Sequence, residues 1–219
     1  MPNEKKQTEG AFILTNKERR KPATLRAEQQ QETRDRLVKA TMETISSKGY
    51  QSATIDNITS YAGTGRATFY LHFRSKPEAL MAGWQEIYMP QMLSLLLKLD
   101  GISPASMADI ENWVSSLVSF WENSRSIALA SNEAIALEPE LAKEWFKRIW
   151  EVSSQLPSWS ERNNHKIEDA RLRLFMLGTY TEHVLMMWLG GSAPVSRTQI
   201  IQSLATQWST EFGYQMACL

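Results

Sequence analysis

Cysteine is all but missing from this chain: Cys218 stands alone near the end of 219 residues. A single thiol excludes an internal disulfide and any cysteine-cluster metal site. Histidine is nearly as scarce, and His72, His165 and His183 lie too far apart for metal-ligand spacing. No apolar run approaches the roughly 20 residues of a membrane helix. The patch "AFIL" (11–14) is too short for the core of a secretory signal. No alternating strand pattern occurs, and neither a G-x-S-x-G elbow nor a Gly-Lys-Ser/Thr phosphate loop is present. These absences predict an all-α, cytoplasmic protein that is not an enzyme and uses no cofactor.

The charges are balanced overall but divided along the chain. Residues 1–80 carry 14 Lys and Arg against 9 Asp and Glu, and residues 81–219 carry 10 against 15. A net of +5 in front and −5 behind points to an anionic partner for the front part. Residues 1–30, with the basic run "KERRK" (17–21), show no apolar period and read as a mobile polar tail. A helix is predicted from Thr33, with Leu37, Ala40, Thr41 and Ile45 on one face, stopping at Lys48-Gly49. A second runs from an N-cap at Thr54 to Gly63, a third covers "RATFYLHF" (66–73), and a fourth opens at Ser75, with Glu78 in capping-box spacing. Further helices are predicted near 76–99 (bent at Pro90), 105–122, 125–137, 140–156, 166–189 and 197–213, with breaks at 100–104, 138–139, 156–164 and 190–194.

The stretch "AGTGRATFYLHF" (62–73) sets two glycines and an arginine against four rings. Phe69 and Phe73, four apart, suit a core. Arg66, Thr68, Tyr70 and His72 project from other faces and need another explanation. Two short helices joined by a glycine turn supply one: a helix-turn-helix that places its second helix in the DNA major groove. Arg66 is the side chain there that can bind guanine bidentately.

"TRDRLVKATMETISSKGYQSATIDNITSYAGTGRATFYLHFRSKPEAL" (33–80) resembles the DNA-binding domain of TetR-family transcriptional regulators. Lys48, Gly49, Tyr50, Thr54, Ile58, Ala62, Gly63, Thr68, Tyr70, His72, Phe73, Ser75, Lys76 and Leu80 match that family's usual pattern in register. The resemblance implies a DNA-binding domain at 31–80 and a ligand-binding and dimerisation domain at 81–219. It also implies roles. Thr54 would cap the second helix and meet a phosphate. Thr64, Gly65, Arg66 and Ala67 would face base edges, with Thr68 beside them. Tyr70, His72 and Lys76 would hold the DNA backbone. Thr64 and Gly65 depart from the family's usual valine and serine, and Thr64 is expected to take over as N-cap.

By the same resemblance the partners are double-stranded DNA with a palindromic operator, a second copy of the chain, and a small-molecule effector, with no membrane. The function implied is a ligand-released repressor; a ligand-independent DNA-binding or architectural protein is the alternative. Seven of the eight tryptophans lie beyond residue 110, with several methionines, a composition suited to an apolar or aromatic ligand. Trp113, Glu133, His183 and Met187 are the candidate ligand contacts. The dimer is expected on helices 166–189 and 197–213, through some of Leu172, Phe175, Met176, Tyr180, Leu204, Trp208 and Phe212. The pattern alone does not separate seam from core.

Overall fold

The computed structural model describes residues 22–102, 104–192 and 194–213; the "KERRK" run and Cys218 lie outside them. Among the described residues there is no strand, only an isolated bridge between Ala105 and Gly213.

Helix α1 (Pro22–Lys48) begins eleven residues before the predicted start at Thr33. Pro22 occupies the first helical position, where its missing N–H costs nothing. Leu, Ala, Glu and Gln then favour helix without supplying an apolar stripe. Thr33 is no cap: its Oγ1 donates to Gln29 O at 2.8 Å inside the helix, beside a Gln31–Asp35 bond of 2.7 Å. Residues 22–30 are therefore helical, not tail. This front segment, to Arg36, forms a unit separate from Leu37 onward.

From Leu37 the elements follow the predicted order. α1 stops at Gly49, whose φ of 81° is the left-handed conformation glycine adopts without strain. Helix α2 (Ile55–Ala62) is capped by Thr54, which accepts from Asn57 N, while Asn57 Oδ1 accepts from Thr54 N. Gly63 (φ 65°) ends it, and Thr64 N donates to Thr59 O at 2.9 Å. Helix α3 (Arg66–His72) follows. Its N-cap is Gly65, with no side-chain bond, so Thr64 does not take over the cap. Helix α4 (Lys76–Gly83) starts from Ser75, which accepts from Glu78 N; the Glu78 carboxylate reaches back to Arg74 N rather than to Ser75. Leu37, Val38, Ile58, Phe69, Phe73 and Ala79 close a small core under these helices.

The predicted bend at Pro90 is a π turn one step upstream, Trp84–Tyr88, leading into α5 (Met89–Gly101). Pro90 has no N–H for the carbonyl four residues before it, and the helix widens there instead of breaking. Then come α6 (Met107–Asn123), α7 (Arg125–Leu137), α8 (Pro139–Glu151), α9 (Pro157–Arg162), α10 (Ile167–Leu189) and α11 (Arg197–Phe212). α9 lies inside a predicted break. Its first N–H groups are capped from a distance: Asp100, only 2% exposed, accepts from Ser158 N at 3.0 Å and Trp159 N at 2.7 Å. A second core, including Ile45, Tyr50, Leu80, Trp84, Ala134 and Trp145, joins α1 and α4 to α7 and α8.

Candidate nucleic-acid interface and apolar chamber

Burying Phe69 completely and Phe73 almost so fixes the roll of α3. With those rings inward, Gly65, Arg66, Ala67 and Tyr70 are exposed, and Thr64, Thr68 and His72 are half-buried at the edges. Thr54 is exposed at the head of α2, where a capping hydroxyl keeps a proton to donate. α3 thus presents one polar face carrying a cation, hydroxyls and backbone N–H groups. Arg66 is already engaged: its Nη1 donates to both carboxylate oxygens of Asp56 at 2.9 Å. Hydrogen bonds to Asp56 and then Tyr70 hold the guanidinium more firmly protonated than usual. Both partners are well exposed, so Arg66 can exchange Asp56 for a guanine edge at little cost.

Lys76 is placed differently from the expectation. Its Nζ donates to Tyr50 O at 2.6 Å and Ala53 O at 2.9 Å, and sits 4.0 Å from the centre of the Tyr50 ring. Burial holds this ammonium below its usual pKa, opposed by Glu138 and Glu133. Lys76 fastens the loop between α1 and α2. Glu133, expected at the ligand, serves the same loop: its carboxylate accepts from Tyr50 N at 2.9 Å and Gln51 N at 3.2 Å. Glu138 accepts from the Tyr50 hydroxyl at 2.8 Å. Burial and then that bond raise the phenol's pKa far above normal.

The helical body encloses a chamber of about 90 Å³. Four tryptophans line it, Trp113, Trp121, Trp145 and Trp208, with Tyr88, Met89, Met92, Leu117, Thr181 and Glu182 among their neighbours. Three of the indole N–H groups are spoken for: Trp113 donates to Leu95 O at 2.7 Å, Trp208 to Thr181 Oγ1 at 3.0 Å, and Trp145 to Glu182 Oε2 at 2.9 Å. Burial pushes the Glu182 carboxyl up to about 7, against the pull of the Trp145 bond.

Of the four predicted ligand contacts, Trp113 alone lines this chamber. His183 is exposed in an adjoining groove with Asn132, Phe146 and Thr179. Met187 is exposed on α10. Sequence reading missed Glu182. Glu182 is the neighbour of the candidate His183; one residue is about 100° around a helix, and α10's inward face is set by packing.

A helix-turn-helix with a polar outer face is continuous with an all-helical body around an apolar chamber. Residues 37–82 match the family model of bacterial regulatory proteins, tetR family. An uncharacterised helix-turn-helix regulator from Lactococcus lactis is 30% identical over 87 residues, 38% of this chain and 44% of that protein. The chain spans less than half the length of the curated relatives it matches. Among solved structures, a protein from Mesorhizobium loti described as a TetR-family transcriptional regulator superposes with a TM-score of 0.61 at 16% identity, covering 83% of this chain and 95% of that one. The regulator FadR from Bacillus subtilis, in complex with stearoyl-CoA, gives 0.55 at 15% identity, covering 81% and 98%. Residues 37–82 therefore form a helix-turn-helix domain of the tetR type, and the likeness to the solved structures shows that the helical fold of the remainder is shared with them.

Proposed function

We propose that the protein represses transcription from the cytoplasm by binding a palindromic operator as a dimer, and that an apolar or aromatic small molecule in the chamber releases it. The observation that carries this reading is one unbroken helical rod. α4, the π turn and α5 run end to end. The rod holds Lys76 and Leu80 against the DNA-binding helices at one end and turns Tyr88, Met89 and Met92 into the chamber at the other. The chamber is smaller than the roughly 300–1,000 Å³ of a drug-sized site, so a ligand must push its wall outward. The wall that yields includes two adaptable methionines next to a π turn.

Two recognition helices must meet half-sites roughly 34 Å apart. A rod displaced at the chamber end shifts that spacing, and the ligand-bound population loses simultaneous docking. An exposed apolar stripe on α10 supports the dimer: Leu172, Met176, Tyr180 and Met187 are each about half exposed. Leu204, Trp208 and Phe212 on α11 are buried within their own subunit, which leaves α10 as the side of the seam that supplies rings and thioethers.

The test is a screen of apolar and aromatic small molecules for quenching of tryptophan fluorescence, followed by release of a bound duplex. Quenching and release at the same concentration are expected. DNA binding that no quenching ligand disturbs would favour a ligand-independent regulator.

A further inference from the structure

The chamber is apolar on almost every side, yet a carboxylate forms part of its wall. Glu182 receives one hydrogen bond, from Trp145 Nε1. Among the described residues no Lys or Arg makes an ion pair with it, and no Lys, Arg or His lines the chamber. Beside it stands Tyr88, 7% exposed, whose hydroxyl has no hydrogen-bond partner among the described residues. Its phenol feels the Glu182 charge as well as burial. The Tyr88 ring lies 6.3 Å from both Trp121 and Trp145, and Trp84 packs 5.1 Å from Trp145. A half-buried carboxylate beside aromatic faces, with no cation paired to it among the described residues, is an incomplete electrostatic unit.

We propose that the chamber selects a lipophilic cation: an aromatic or branched apolar body bearing an ammonium group that sits against Glu182 among the faces of Tyr88, Trp121 and Trp145. The proposal rests on the reading of the chamber as the effector site and names what enters it. A cation pairs with the half-buried carboxylate and gains from the ring quadrupoles. A carboxylate ligand would bring like charge to Glu182 with no basic residue in the wall to receive it. A neutral ligand would fill the space and leave Glu182 as it is. Glu182 and Trp145 line both the chamber and the neighbouring groove of Asn132, Phe146, Thr179 and His183. At neutral pH Glu182, with its pKa near 7, is only partly ionised; the arriving charge draws it into the carboxylate form.

The experiment uses the full chain and three probes of similar size: phenyltrimethylammonium, its neutral near-isostere tert-butylbenzene, and benzoate. Each is titrated against the tryptophan fluorescence of the wild type and of Glu182→Gln, which keeps an acceptor for Trp145. The ammonium is expected to bind about tenfold tighter than tert-butylbenzene, as a partly desolvated cation–aromatic contact implies, and benzoate not at all. In Glu182→Gln the gap between the two isosteres should narrow, through weaker binding of the ammonium, while the contribution of the ring faces remains. Equal affinity of the isosteres in the wild type, or tighter binding of benzoate, overturns charge selection and leaves the chamber as effector site. No response to any probe overturns both. If Glu182→Gln loses its helical circular dichroism, the isostere pair on the wild type decides alone.

Discussion

Glu133 and Tyr50 lie 83 residues apart in sequence, yet the carboxylate of one accepts the backbone N–H of the other at 2.9 Å. That bond ties α7, in the helical body, to the loop that positions α2. The carboxylate serves Gln51 N as well, just where Gly49 has turned the chain and the loop lacks helical partners of its own.

Glu133→Ala leaves the N–H of buried Tyr50 without its acceptor, while the N–H of exposed Gln51 turns to water. The expected cost is about 1–3 kcal/mol, the penalty for a buried donor losing a charged partner. Thermal unfolding should show it as a lower midpoint, and operator affinity should fall while ligand quenching of the chamber tryptophans stays unchanged. Unaltered stability and affinity would mean that the loop is held by Lys76 and Glu138 alone.

Lys76→Ala and Arg66→Ala should behave differently on DNA. Without Lys76 the carbonyls of Tyr50 and Ala53 lose their donor, so the loop that carries Thr54 loosens and all duplexes bind more weakly together. Without Arg66 the preference at one base pair should relax by roughly ten- to hundredfold while other positions keep theirs. Anisotropy titrations against singly substituted operators separate the two; identical profiles would contradict this division of roles.

Most of the helix-turn-helix was legible in the sequence because its determinants are local. Thr54, Gly63 and Ser75 act on neighbours three or four residues away, and the Phe69–Phe73 spacing fixes which side of α3 is exposed. Longer-range devices were not. The cap on α9 comes from Asp100, 58 and 59 residues earlier. The partner of Glu133 lies on another helix, and Glu182 differs from His183 only in which face of α10 packs inward. The start of α1 escaped for a different reason: helix propensity without an apolar face leaves no periodic signal.

Glu182 gives stability a pH dependence with a definite sign. Its pKa rises on folding from 4.5 to about 7, so the folded protein holds a proton that the unfolded chain has released across that window. The neutral acid's advantage is complete below about pH 4.5 and is lost as pH rises through 7. The loss is on the order of 3 kcal/mol for a shift of this size. Denaturant midpoints at pH 5.5 and 8, about one unit or more either side of the crossover, should differ in the wild type and converge in Glu182→Gln. Equal slopes in the two proteins would contradict the assignment.

Tyr88→Phe removes a buried hydroxyl that has no hydrogen-bond partner among the described residues. Chemical denaturation should find the variant as stable as the wild type or more so, by up to about 1 kcal/mol. A loss greater than that would reveal a hydrogen bond made by this hydroxyl in solution.

Met176→Glu with Tyr180→Glu charges the exposed stripe of α10 without touching the subunit's own core. Sedimentation should report a folded monomer that has lost cooperative operator binding. A dimer that survives both changes would place the seam elsewhere.

The most direct test of the central claim is selection of duplexes from a random pool by the full chain, followed by anisotropy titration of the winners at two salt concentrations. The account predicts enrichment of a palindrome with half-sites about ten base pairs apart, bound far more tightly than scrambled duplex at either salt. Weak binding to every sequence, vanishing as salt rises, would leave only phosphate attraction and contradict the assignment of α3 as a base-reading helix.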